Sequence, residues 1–171
     1  MTNKFKSAVL AATAVAVVSL GATSASAATA TGNATARIVD ALQITEDTVL
    51  NFGTIVPGAA SGNVVITAAG AKACDPALSC ISGTHAAGAF TVTGLGGQGV
   101  NVSVSAPTSL DDAGAGVAMP LSALTTNTGS ITLSAGATGS ASFTVGGTLT
   151  VGANQLAGTY TGTYTVTANY Q

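Results

Sequence analysis

From Thr159 to Gln171 the chain alternates without a break, with Tyr160, Gly162, Tyr164, Val166, Ala168 and Tyr170 at even positions and Thr159, Thr161, Thr163, Thr165, Thr167 and Asn169 at odd ones. In extended backbone successive side chains point to opposite faces, so this pattern makes one apolar and one hydroxylated face, the mark of a half-buried strand. No stretch beyond residue 27 sustains helical spacing. Further segments read as strands: Ala34–Ile44, Thr48–Phe52, Asn63–Thr67, Ala89–Thr93, Val100–Ser105, Ser130–Leu133 and Ser140–Val151, parted by glycines, prolines and short Ser/Asn/Asp clusters. Many short strands with no helices between them predict an all-β fold, an antiparallel sandwich of two sheets, with a closed barrel as the alternative. Gly146-Gly147 within the last of these segments predicts a bulge or bend where one strand changes sheet.

Charge narrows the function classes. Among 171 residues there are 4 Lys+Arg and 6 Asp+Glu, and no Lys or Arg follows Lys72. A nucleic-acid partner is excluded, because neutralising phosphates takes clustered cations. The apolar content, 47%, excludes a disordered charged tail, and a coiled coil would need charged positions flanking a heptad seam. One domain with a neutral Thr/Ser/Gly surface is expected over residues 36–171, behind a small-residue leader at 28–35.

Residues 1–27 read as a secretory signal peptide. Lys4 and Lys6 form a positive start, Ala8 to Leu20 is uncharged and mostly apolar, and Ala25-Ser26-Ala27 supplies the small residues of a cleavage site. The apolar run is shorter than the ~20 residues that span a bilayer, so no membrane anchor is expected after cleavage. Export sets the redox context of Cys74 and Cys80, for which a disulfide is the expected state. It closes a short loop, so the entropic model gives it only roughly 2 kcal/mol. A structural zinc would need four ligands, and His85 is the only histidine.

The remaining motifs point away from catalysis and cofactors. Gly94-Leu95-Gly96-Gly97-Gln98-Gly99 spells a dinucleotide fingerprint, but strand-type sequence lies on both sides where the fingerprint needs a helix N-terminus. Asp111-Asp112 reads as a solvated turn, since neighbours on a strand face opposite ways and calcium loops need alternating oxygens closed by a Glu. His85 falls in a loop composition, and no Gly-x-Ser-x-Gly elbow occurs to partner it. Asn33-Ala34-Thr35 and Asn101-Val102-Ser103 are glycosylation sequons by letter, in a chain where Ser and Thr are common enough to produce them by chance. A non-enzyme without cofactor or metal is expected.

Leu50-Asn51-Phe52-Gly53-Thr54-Ile55-Val56-Pro57-Gly58, Gly147-Thr148-Leu149-Thr150-Val151 and the ending Ala157 to Tyr170 resemble the bacterial family of secreted proteins known as domain of unknown function 4402, over nearly all of residues 28–171. That family is in turn similar to fimbrial and spore-coat-U-type subunits. The resemblance implies an immunoglobulin-like, pilin-like sandwich, secreted through a periplasmic chaperone and usher, that polymerises by donating an N-terminal strand. On that reading Ala28, Ala30, Gly32, Ala34, Ala36 and Ile38 are the inward face of a candidate donor strand. Tyr160, Tyr164, Val166, Ala168 and Tyr170 mark the edge that a chaperone or a neighbouring copy would pair with. An edge of that kind left open would aggregate. Two features depart from the better-known fimbrial subunits: the two cysteines close a local loop instead of joining distant strands, and the donor face is mostly Ala and Gly.

The expected function is therefore a structural subunit of a surface fibre or coat of a Gram-negative bacterium, exported to the periplasm and assembled outside by self-association. The alternative is a self-complete secreted sandwich that binds glycan or envelope through its loops. An aromatic content of 4%, no Trp, and tyrosines confined to the last segment speak against a sugar-stacking platform.

Overall fold

The computed structural model describes residues 27–105, 109–112, 114 and 117–171; the segment expected as a signal peptide lies outside them but for Ala27. Among the described residues there are no helices, and the strands are β1 (Gln43–Thr48), β2 (Ile55–Val56), β3 (Gly62–Ile66), β4 (Lys72–Cys74), β5 (Ser79–Cys80), β6 (Gly88–Leu95), β7 (Gly99–Ser105), β8 (Ser109–Asp112), β9 (Met119–Thr126), β10 (Ser130–Thr132), β11 (Thr138–Val151), β12 (Tyr160–Thr161) and β13 (Thr165–Tyr170). Every pairing is antiparallel. The fold is all-β, as the alternation predicts.

The spine is β11. Along one edge its first half pairs with β6, from Thr138↔Leu95 to Val145↔Gly88, and its second half with β3, from Gly147↔Ile66 to Val151↔Gly62. The exchange of partners falls at Gly146-Gly147, where a β-carbon on Gly146 would overlap Ile66 O and Ala68 N. Glycine is required because two strand ends abut there. The predicted irregularity is present, but the strand changes partner within one sheet instead of changing sheet. With β9 on the other edge, the large sheet runs β1-β6-β11-β9-β8-β12, with β3 and β4 off the path.

The second sheet is β10-β7-β13. The Gly94–Gly99 loop carries the chain from β6 in one sheet to β7 in the other, with Gly97 in the left-handed region at φ +76°. It opens a strand, so it cannot present helix amides to a pyrophosphate. Phe90, Val92, Phe143 and Val145 of the large sheet pack on Val100, Val102, Ile131 and Leu133 from the β7–β10 side, all buried. β6 shows why: its burial alternates perfectly, with Gly88, Phe90, Val92 and Gly94 inward. A separate core of Phe52, Val64, Ile66, Leu78, Met119, Leu121, Leu149 and Val151 fills the other end. No polar or charged residue is buried among the described residues, consistent with a sandwich-like fold held by apolar burial.

Three expectations require correction. Ala34–Ile44 is not a strand: the ladder begins at Gln43, and residues 27–41 are exposed without regular structure. Small alanines bury too little apolar area to hold an edge unaided. Thr48–Phe52 reduces to the end of β1 and an isolated bridge, Asn51↔Ala86, because the chain turns at Gly53 (φ +76°), whose N–H donates to Asn51 Oδ1 at 2.8 Å. Asp111-Asp112 is a strand, paired with Thr161 and Tyr160.

Candidate functional site

The alternating C-terminal segment is divided between the sheets. Tyr160–Thr161 pair with β8 in the large sheet, and Thr165–Tyr170 pair with β7 in the small one. Between them the chain passes Gly162, where a β-carbon would lie 2.8 Å from Ser109 O and from Leu110 Cδ2. The predicted two-faced character survives the division. Tyr160, Tyr164, Val166, Ala168 and Tyr170 are half-buried, while Thr161, Thr165, Thr167 and Asn169 are exposed. β13 pairs with β7 alone, so its other edge carries no ladder among the described residues.

Two tyrosines cross from this segment to the large sheet and end over glycines. The Tyr170 hydroxyl accepts from Leu95 N–H at 2.7 Å and donates to Asp40 O at 3.0 Å, in space that a β-carbon on Gly94 would occupy. Six residues earlier, the Tyr164 hydroxyl takes the space of a missing β-carbon on Gly88, yet it has no hydrogen-bond partner among the described residues. Its ring meets Phe90 edge-on at 6.0 Å between centroids. Burial, and then the nearby Glu46 carboxylate, push its pKa from 10.0 up to about 12.

Beyond Tyr164 the molecule is open. Residues 49–57 form one wall and 155–164 the other of a groove made of three adjoining cavities of about 180, 460 and 360 Å³, the first two sharing Leu50, Phe52 and Gly162 and the last two Ile55, Gly158 and Tyr160. Leu110, Met119, Leu121 and Leu149 form the floor. Each wall holds a short strand with a single ladder among the described residues: β2 pairs with β5, and β12 with β8. Val49 and Val56 on one wall and Leu156 on the other are exposed at 66%, 45% and 59%. The groove thus combines apolar side chains with spare backbone hydrogen-bonding edges, the two things an added strand uses.

The disulfide forms as expected between Cys74 and Cys80, with Cα atoms 6.3 Å apart. Its position carries more than its loop length suggests. Cys74 in β4 pairs with Val64 of β3 in the large sheet, and Cys80 in β5 pairs with Ile55 of β2 in the groove wall. The leader residues Ala28, Ala30, Gly32, Ala34 and Ala36 are exposed and outside any strand, and Ile38 is 96% exposed. His85 is exposed, its Nδ1 3.3 Å from Gly83 O.

Sequence reasoning marked one wall of the groove, through Tyr160 and Tyr164, but missed the other wall and the floor. A signal existed in Leu50-Asn51-Phe52 and Met119-Pro120-Leu121, each a short alternating pair whose apolar members are half-buried or buried.

An all-β fold of two main antiparallel sheets and a two-stranded ribbon, β2-β5, open along a groove at one end, is the class the geometry defines. The profile of the family described as Domain of unknown function (DUF4402) matches residues 42–170, and the chain belongs to that family. No curated protein and no solved structure matches it.

Proposed function

We propose that this chain is an exported structural subunit of a bacterial surface fibre or coat, immunoglobulin-like and pilin-like in build, assembled when the leader of one copy adds as a strand to another. The groove carries this reading: its apolar side chains lie open beside the β2 and β12 edges, which carry no second ladder among the described residues, in a protein whose leader alternates small apolar and polar residues and is exposed outside any strand. Strand addition satisfies both at once, with main-chain hydrogen bonds giving affinity and alternate side chains giving register. An open edge of this kind needs cover during export, the role of a periplasmic chaperone before an usher hands the subunit on. The signal at residues 1–27 supplies the export route, and the disulfide suits an oxidising compartment. Catalysis has no part in this reading, nor does nucleic acid or a membrane anchor.

Size-exclusion chromatography with electron microscopy of the purified protein tests it. Fibres are the expected product, lost when residues 28–35 are deleted. A stable single-copy species at all concentrations favours the second reading, a self-complete adhesion or envelope-binding module, which the deep burial of Val92 and Val145 between the sheets supports.

A further inference from the structure

The strand-addition reading leaves open where in the groove the leader sits and in which direction it runs. We infer that Ile38 of a second copy of this chain fills the cavity beside Tyr164, with that copy's Arg37 against Glu46. This rests on the proposed function and gives it a partner and a register.

The chain's own Ile38 cannot reach that cavity. Asp40 is held by the Tyr170 hydroxyl, over Gly94, and the cavity lies beside Tyr164, over Gly88. Those glycines are six residues apart on β6, about 20 Å at ~3.3 Å per residue. Ile38 is two residues from Asp40, a span of at most about 7 Å. A second copy has no such tether. Its Ile38, 96% exposed, is the one large apolar residue in the alternating series from Ala28. The cavity, about 180 Å³ and walled by Val49, Leu50, Phe52 and Leu121, has room for a branched aliphatic side chain.

Charge sets the direction. Glu46 is the only ionisable carboxylate among the described residues lining the groove, and it lies at the Tyr164 end. In an added strand with Ile38 inward, Arg37 leaves at the mouth of that cavity, where its long side chain reaches back to Glu46, which lines the cavity and is exposed to solvent. Reversing the strand would put Arg37 near Ile55 and Leu156, with no carboxylate lining that cavity. Residues 36 back to 28 then run toward Pro57, antiparallel to the 49–57 wall. Eleven donor residues in extended form cover about 33 Å. The same placement sets the Tyr170 end of one copy against the groove end of the next, so copies add head to tail.

Cross-linking and assembly assays test this on the purified protein, in which Cys74 and Cys80 are bonded and no cysteine is free. One preparation carrying Ile38→Cys is mixed with another carrying Val49→Cys and oxidised. A disulfide-linked pair of chains is expected. A chain carrying both substitutions that instead closes an internal link would overturn the assignment to a second copy. Ile38→Asp should weaken assembly at least tenfold while leaving the melting temperature of the single copy unchanged, since the side chain makes no packing there. Arg37→Glu should weaken assembly a few-fold, and adding Glu46→Arg should restore it. Normal fibres from Ile38→Asp would overturn this inference and leave strand addition standing. A wild-type protein that neither assembles nor binds a synthetic peptide of residues 28–38 would overturn both.

Discussion

Tyr164 and Tyr170 are the same residue type on the same face, and the structure gives their hydroxyls opposite worth. Tyr170 accepts from Leu95 N–H and donates to Asp40 O; removing the hydroxyl orphans a part-buried N–H, a cost of about 1–3 kcal/mol. Tyr164 has no partner to lose, so Tyr164→Phe should be neutral or slightly stabilising. Urea denaturation of the two phenylalanine variants compares them directly, and equal losses would contradict the assignment. Tyr164 also carries a pH signature. Its folded pKa is raised from 10.0 to about 12, so the unfolded chain gives up this proton first. The stability held by the neutral phenol is complete below pH 10 and is lost as pH rises toward 12. In Tyr164→Phe that part of the alkaline loss should disappear from the stability-versus-pH curve. The tyrosines' common face was legible in the alternation; Gly88 and Gly94 were not, because only the sandwich brings each glycine under a phenol.

Strands were legible where the period of two ran undisturbed on a paired segment, as in β6, β7 and β13. β9 was hidden because its phase slips. Met119 and Leu121 are buried, but Ala123 and Leu124 together stand opposite Gly147, with Ala123 at φ +47°, so inward positions shift from odd to even. A bulge of this kind erases alternation in the letters while keeping the ladder. β13 keeps its phase, and that can be tested. Val166→Asp places an unpaired charge against the core between the sheets and should cost more than about 3 kcal/mol. Thr165→Asp on the exposed face should stay within about 0.5 kcal/mol. Comparable damage at the two positions in thermal melts would argue against a two-faced strand. The two-residue strands β2 and β5 carry too little pattern to read at all, and with them went one groove wall. β2 is held to the large sheet through β5 and the Cys74–Cys80 bond, since a two-stranded ribbon is marginal alone. Reduction should therefore raise amide exchange in β2 and β5 and leave β6 and β11 protected, with a global loss of only roughly 2 kcal/mol. Uniform exchange across the molecule after reduction would show that the bond holds the whole fold and not one wall.

On the scale of the molecule the two cores differ in what they border. The one between the sheets has Val92, Val100 and Val145 wholly buried. The other borders the groove, whose lining includes its Phe52, Leu121 and Leu149 with the half-buried Leu50 and Leu110 beside them. No residue of either core comes from the leader, so removing residues 28–35 should leave Arg37–Gln171 folded, with an unchanged denaturation midpoint. A core that borders an open groove implies a gradient of local stability. In the leader-deleted protein, amides of β2, β8, β9 and β12 should exchange faster than those of β6, β7 and β11, because short strands beside an open groove expose more of their backbone hydrogen bonds to solvent and open at lower free energy. Adding a synthetic peptide of residues 28–38 should slow exchange in the first group alone. At a hundredfold excess over its dissociation constant, ligand linkage raises the global stability by about 2.7 kcal/mol. Hydrogen exchange read by mass spectrometry separates the two groups of strands. Protection that spreads evenly to β7 and β10 would place the added strand along β13 instead of in the groove. No protection anywhere, with the deleted protein less stable than the intact one, would mean that the leader completes its own chain's sheet and that the molecule is finished as a single copy.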